Sequence, residues 1–282
     1  MKLARLDADI FTPDGTDPVR ALARTTHLCI GAHQDDIEIM AHDGIAACFG
    51  RTDKFFTGVV VTNGAGSPRS GRYAALTDAD MLAVRRDEQR RAAALGRYNL
   101  QLQLAHPSPE VKTPDHAGLM DDFAAIFNGC TPEVVYLHNP ADKHDTHVAV
   151  FLRVLKALRA MPRERRPRRV LGCEVWRDLD WLVEADKVAL DTSAEPQLAV
   201  DLLKVFDSQI SGGKRYDLGA LGRRAANATF HTSHATDVAG AMTWAMDLTP
   251  LVADETLDVQ EFVAAHIDRL RSDVVQRIAA LS

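Results

Sequence analysis

Several things are scarce in this sequence, and each scarcity narrows what the chain can be. Cysteine occurs only four times, at Cys29, Cys48, Cys130 and Cys173, with no CxxC spacing. That pattern points to structural thiols in a reducing cytoplasm rather than to a disulfide framework. Positive charge is not in excess: 33 Lys and Arg face 39 Asp and Glu, a formal charge of -6 over 282 residues. A general nucleic-acid binder carries a basic footprint, so that class is disfavoured. The one dense basic run, Arg163 to Arg169, reads as a solvated loop after a helix. No uncharged run approaches the roughly 20 residues that span a bilayer. The N-terminal stretch has scattered charges and no apolar h-region, so no secretory signal is expected. Internal repeats, low-complexity linkers and a GxGxxG turn are also missing.

What is present is an ordinary globular balance, 46% apolar and 26% charged residues. Short apolar runs alternate with helical patterns. The candidate strands are 26–32 (THLCIGA), 57–63 (TGVVVTN), 100–105 (LQLQLA), 133–138 (EVVYLH) and 169–176 (RVLGCEVW). Helical patterns lie between them, at residues 44–51, 78–96 and 116–130. The segment 144–161 adds a helical stripe of Val148, Phe151, Leu152, Leu155 and Leu158. This alternation predicts an α/β fold with a mostly parallel sheet flanked by helices. One domain over 1–282 is expected, with a core of about 24–210 and a less regular 211–282 extension. That extension ends in an amphipathic helix carrying Val259, Val263, Ile267, Leu270, Val274, Ile278 and Leu281, a stripe expected to pack on the core.

In an open parallel sheet, ligands bind outside the carboxyl ends of the strands. Polar segments fall at four such ends: AHQDD (32–36), TNGAGSPR (62–69), HNPADKHDTH (138–147) and WRDLDW (176–181). His33 and Asp36 are three apart, and so are His144 and His147, a spacing that puts side chains on one helix face. Two His and one Asp, with one position left for water, make a catalytic zinc set without any cysteine. Fe(II) or another divalent ion suits such ligands nearly as well. Asp35, beside Asp36, fits a general base for water. His144 fits the spare imidazole that protonates a leaving amine or stabilises an oxyanion, with Asp142 or Asp145 to orient it. The chemistry that follows is hydrolysis of an amide or ester.

AHQDDIE, followed over a hundred residues later by HDTH, resembles the PIG-L/LmbE-like family of zinc-dependent de-N-acetylases, whose usual signature is AHPDD. VVVTNGAG resembles that family's second strand and its T-(N/D)-G loop. RRDEQRRAAALG carries an Arg-x-x-Glu and Leu-Gly pattern at Arg85, Glu88, Leu95 and Gly96, and KVFDSQ (204–209) resembles its Lys…Ser-Gln helix. The resemblance covers roughly residues 26–210. It implies a Rossmann-like fold, with His33, Asp36 and His147 as zinc ligands, Asp35 as base and His144 as the second catalytic group. It also implies removal of acetyl from an N-acetylglucosamine unit or its conjugate, a small-molecule amino-sugar substrate. The sequence departs from the family in two places. Gln34 replaces the usual Pro, which is expected to loosen the backbone. MAHDG stands where a Gly-rich turn is usual, so Met40, His42 and Asp43 are expected to reshape the floor of the pocket.

Candidate substrate contacts are Asn63, Arg69, Asp142 and Trp176. Arg69 and Asn63 lie in a Gly-rich loop able to close over the site, and Trp176 or Trp181 offers a face for a sugar ring. His231 and His234 share the HxxH spacing but have no carboxylate motif beside them, so they read as loop histidines. An amidase cleaving a larger acyl or cysteinyl amide is the alternative within metallohydrolases. A nucleotide-dependent enzyme and a non-catalytic sugar- or metal-binding module are further ones. Oligomeric state stays open.

Overall fold

The computed structural model describes all 282 residues. Eight strands build one sheet: β1 (Asp9–Phe11), β2 (His27–Gly31), β3 (Phe56–Thr62), β4 (Leu100–His106), β5 (Val134–His138), β6 (Arg169–Cys173), β7 (Lys187–Asp191) and β8 (Met242–Asp247). The helices of the first half are α1 (Pro18–Ala23), α2 (Asp36–Met40), α3 (His42–Cys48), α4 (Asp78–Leu95), α5 (Ser108–Lys112) and α6 (Ala117–Gly129). Those of the second half are α7 (Asp145–Arg159), α8 (Pro196–Lys204), α9 (Asp207–Ile210), α10 (Tyr216–Thr229), α11 (Thr249–Ala253) and α12 (Val259–Leu281). Local chemistry sets several starts. Thr77 and Asp80 form a reciprocal capping box at α4, and Asp258 accepts from the Gln260 and Glu261 N–H groups at α12.

The strands lie in the order β1-β4-β3-β2-β5-β6-β8-β7. All pairings from β4 through β6 are parallel, while β1 and β8 join antiparallel and β7 closes the far edge against β8. The winding reverses between β2 and β5, because β3 and β4 lie on one side of β2 and β5 and β6 on the other. Such a switch point leaves a crevice beyond the strand ends. HQDD leaves β2 at this crevice, and the segment ending in HDTH leaves β5 there.

All five strands expected from the sequence are present. β1 and β7 were not foreseen: β1 is three residues long, too short to show a period, and β7 is a half-buried edge strand. β8 comes from the C-terminal third and inserts between β6 and β7, so that third completes the sheet. Alternate strand residues feed two apolar layers. Leu28, Ile30, Val59, Leu102 and Val135 pack with α1, α6 and α7, while Cys29, Val60 and Tyr136 pack with α2, α3 and α4.

Two expectations need correction. Along α12 the apolar residues that pack on the core are Val259 and Phe262, beside the buried His266, while Ile267, Val274, Ile278 and Leu281 are exposed. A helical stripe reports sidedness, and here the helix outruns the body it starts on. MAHDG does packing rather than shaping the cavity floor. The Asp43 carboxylate accepts from the Tyr136 hydroxyl at 2.9 Å. His42 Nε2 lies 3.1 Å from the Ala194 carbonyl, and burial lowers its pKa to about 4. Gly44 lies against the Tyr136 ring, which a Cβ there would approach to 2.6 Å. All four cysteines are free and buried, and no helix is long and apolar enough to cross a membrane.

Candidate functional site

At the switch point three donors from two motifs converge. His33 Nδ1 lies 3.2 Å from His147 Nε2, and Asp36 Oδ2 is 3.4 Å from each of these nitrogens. Three N or O donors at zinc-like bond lengths around a tetrahedral ion stand roughly 3.3 Å apart, so the spacing fits a divalent cation. Protonation agrees with this fit. Burial lowers the His147 pKa to about 4, against the opposing pull of Asp36. Burial alone would raise the Asp36 carboxyl, but the imidazoles of His147 and His138 hold it well below the usual range. His147 is therefore a neutral imidazole and Asp36 an ionised carboxylate, the forms that bind metal.

Second contacts fix the orientation of these donors. Asp142 Oδ2 lies 3.3 Å from His147 Nδ1, which donates to it and leaves the Nε2 lone pair facing His33 and Asp36. The same carboxylate accepts from the backbone N–H of Trp176 at 3.2 Å, and its Oδ1 accepts from that of His144 at 3.1 Å. Asp142 therefore positions His147 and the loop around it. It does not line the cavity, so the expected substrate contact at this residue is corrected.

His138 was missed by the sequence reading. It ends β5, stacks on His147 with ring centroids 3.8 Å apart, and its Nε2 accepts from the Ala32 N–H at 2.9 Å. With that lone pair engaged, it buttresses the donor group rather than joining it. Its signal in the sequence was only its place in the strand-end segment YLHNP.

Asp35 sits at φ 85°, a left-handed conformation that is costly for a non-glycine residue and tends to mark functional sites. Burial raises its pKa to about 7, against the opposing Arg85 guanidinium 3.2 Å away. Arg85 is itself buried. It also contacts Glu88 at 3.3 Å and donates to the Gln34 carbonyl, while Glu88 accepts from the Ser208 N–H and hydroxyl at 2.8 and 2.6 Å. The motifs RRDEQ and KVFDSQ thus meet behind Asp35. Gln34 fastens this turn instead of loosening it: its Nε2 lies 3.3 Å from the Thr62 carbonyl and 3.2 Å from Gln103 Oε1. Gly64, at φ 70°, leaves the room, since a Cβ there would come within 2.5 Å of Gln34.

His144 is the N-cap of α7. Its Nδ1 accepts from the Thr146 N–H at 3.2 Å, so in the neutral ring the proton sits on Nε2. Burial and then the neighbouring His33 lower its pKa, which favours that neutral form.

These side chains open into a cavity of about 310 Å³, whose lining includes His33, Asp35, Asp36, Asn63, His144 and Trp176. Arg69 does not line it. Its guanidinium braces the loop by donating to the Ala65 and Leu76 carbonyls and pairing with Asp78. Asn63 is at the cavity, but its side-chain oxygen caps its own turn at the Ala65 N–H. Trp181 packs against the core instead. His231 stands by Trp244 and Glu184, away from any cluster of metal-type donors. Tyr216, Lys112 and Lys214 also line the cavity, and nothing in the sequence marked them.

Residues 28–158 match the family model described as PIG-L: GlcNAc-PI de-N-acetylase. Among solved structures, the chain resembles N,N'-diacetylchitobiose deacetylase from Pyrococcus horikoshii (15% identity, TM-score 0.58, 79% of this chain and 84% of that one). It equally resembles GalB, the 4-carboxy-2-hydroxymuconate hydratase from Pseudomonas putida (15%, 0.58, 79% and 96%). It also resembles the conserved protein TT1542 from Thermus thermophilus (14%, 0.60, 83% and 100%). No curated protein sequence matches the chain. At these identities the likeness establishes the fold. A deacetylase and a hydratase resemble the chain equally, so the fold does not choose the chemistry.

Proposed function

We propose that this chain, which carries a PIG-L family domain over residues 28–158, is a metal-dependent hydrolase that removes an N-acetyl group from an amino sugar or its conjugate. The observation that carries the reading is the convergence of His33, Asp36 and His147, with Asp35 and His144 on the same cavity wall. His33, Asp36 and His147 would hold the ion, and zinc suits the donor set. When bound, a divalent ion there polarises the amide carbonyl and makes water easier to deprotonate.

The chain's own residues supply the remaining parts. Asp35, with a pKa of about 7, is poised to take a proton from water at neutral pH. Arg85 fixes its carboxylate, and the strained backbone aims it into the cavity. His144 Nε2–H donates to the oxygen on which negative charge develops, and the proton that Asp35 takes from water passes to the departing amine. Asp142 keeps His147 in the tautomer that leaves Nε2 free. Trp176, on the cavity wall, gives an apolar face for the sugar ring.

The test is acetate release from a panel of N-acetylated amino sugars, with and without added zinc, alongside the metal content of protein purified without chelator. Metal-dependent acetate release from at least one sugar is expected. Release of longer or cysteinyl acyl groups, with none of acetate, moves the reading to an amidase. Absence of any bound metal together with no turnover overturns it.

A further inference from the structure

A second cavity of about 250 Å³ opens beside the first, and the two share Ile39, Val175, Trp176, Lys214 and Tyr216 along a common wall. This annex is lined by three cations, Lys214, Arg215 and Arg223, and by no carboxylate. In a chain of net charge -6, a lining of that kind runs against the background. Arg215 pairs with Asp217 at 2.7 Å, and the Arg223 guanidinium donates to the Val175 carbonyl. Lys214 has no ion pair, and its Nζ stands 4.5 Å from the centre of the Trp176 ring. Lys112, in the lining of the main cavity, is likewise unpaired. Of the acids of the main cavity, Asp35 pairs with Arg85 and Asp36 accepts from the His33 backbone N–H. Cations without acidic partners, facing a concave wall, focus a positive field on whatever enters.

The annex lies close to the reacting end. The Trp176 ring is 6.2 Å from that of His144 and 5.9 Å from that of Tyr216, measured between centroids. The Tyr216 hydroxyl makes no hydrogen bond within the protein, and burial followed by the nearby Asp35 and Asp36 raises its pKa to about 12. It therefore remains a donor available to a substrate hydroxyl.

We propose that the annex binds an anionic group, phosphate or carboxylate, on the amine-bearing part of the substrate, while the ring lies over the wall that Trp176 and Tyr216 form together and the amide reaches the donor group. This rests on the hydrolase reading and narrows its substrate to acidic N-acylated amino sugars. Lys214 and Arg223 supply the charge. The small residues Gly219 and Ala220 on α10 keep the wall open.

The experiment compares kcat/KM on N-acetylglucosamine, its 6-phosphate and N-acetylmuramate. It also compares calorimetric binding of glucosamine 6-phosphate and glucosamine to the full chain. One or both acidic substrates are expected to exceed the neutral one by about tenfold or more, and which does so tells phosphate from carboxylate. Lys214→Glu should cut the acidic-to-neutral ratio by about the same factor. Gly219→Phe should narrow the annex and lower turnover of the acidic substrate more than that of the neutral one. A Cβ at Gly219 meets no atom within 4 Å, so the new side chain leaves the backbone without a clash. Equal kcat/KM on all three sugars, or equal losses in both variants, overturns the annex and leaves the hydrolase reading standing. No acyl release from any sugar overturns the hydrolase reading. The annex is then decided by calorimetry, where equal binding of the phosphorylated and plain amines overturns it.

Discussion

Two separate clusters of histidine and carboxylate lie at the carboxyl end of the sheet, the first extended through His147 to His138 and Asp142, and by composition they are hard to tell apart. One is His33, Asp36 and His147, at β2 and β5, and the other is His106, Glu110 and His116, after β4. Their partners separate them. His106 Nδ1 faces Glu110 at 3.0 Å and Nε2 faces Asp122 at 2.8 Å, so in the protonated ring both nitrogens donate to carboxylates. Burial pulls the His106 pKa down, and the hydrogen bonds to Asp122 and Glu110 override it and raise it. Arg5 also pairs with Glu110, and the Ala4 N–H donates to Asp122 at 2.7 Å. This cluster is an ion-paired clamp that holds the N-terminal segment to α5 and α6. At the switch point Asp142 takes only the Nδ1 proton of His147, and the remaining lone pairs of His147 and His33 converge with Asp36 on one point. Donor identity does not make a metal site; the distribution of protons does.

The largest expected effect would break the first cluster. His147→Ala should remove stoichiometric zinc, read by elemental analysis after dialysis, and with it essentially all turnover. His106→Ala should leave metal content unchanged. Full zinc and full activity in His147→Ala would invert the assignment of the two clusters.

Next in size is Asp35→Asn, which keeps the donors and removes the base. A loss of roughly 10²- to 10⁴-fold in kcat is expected with zinc retained. Asp142→Asn should cost about 10- to 100-fold in metal affinity or activity, because His147 loses the carboxylate that sets its tautomer. An unchanged zinc titration together with unchanged kcat would show that the backbone alone orients the ring.

The smallest effect belongs to the clamp. His106→Gln should lower unfolding free energy by about 1–3 kcal/mol below neutral pH, the scale of a buried charge-assisted hydrogen bond. The folded pKa of His106 is raised, so its contribution is fully present below the unfolded value of about 6.5. It is lost as pH rises through the folded value. Denaturant melts of the two proteins should therefore converge as pH rises above about 6.5. A gap that is constant with pH would mean that His106 packs without carrying charge.

Much of the fold was legible because parallel strands buried on both faces carry near-continuous apolar runs, as in LCIGA and VVYLH. β8 was not, since MTWAMD has no such run and is recruited by β6 and β7 from a distant part of the chain. Among the candidate site residues, His33, Asp35, Asp36, His144 and Trp176 sit at the cavity, with His147 completing the donor group behind them. Arg69 failed because an arginine in a Gly-rich loop can brace the loop as readily as face a ligand. Asp142 failed as a substrate contact because its neighbours in space, His147 and Trp176, outrank its neighbours in sequence.

The sequence by itself determined the chemistry on offer: which strand ends carry imidazole and carboxylate, and that two such ends lie over a hundred residues apart. Side-chain type and strand pattern are local properties, so a linear reading reaches them. Only the tertiary structure decided which nitrogens keep a lone pair, that Arg85 stands behind Asp35, and that residues 214–223 wall a cationic annex. Protonation, burial and unpaired charge are set by partners brought together across the chain, as His33 and His147 are across 114 positions. No local pattern encodes them.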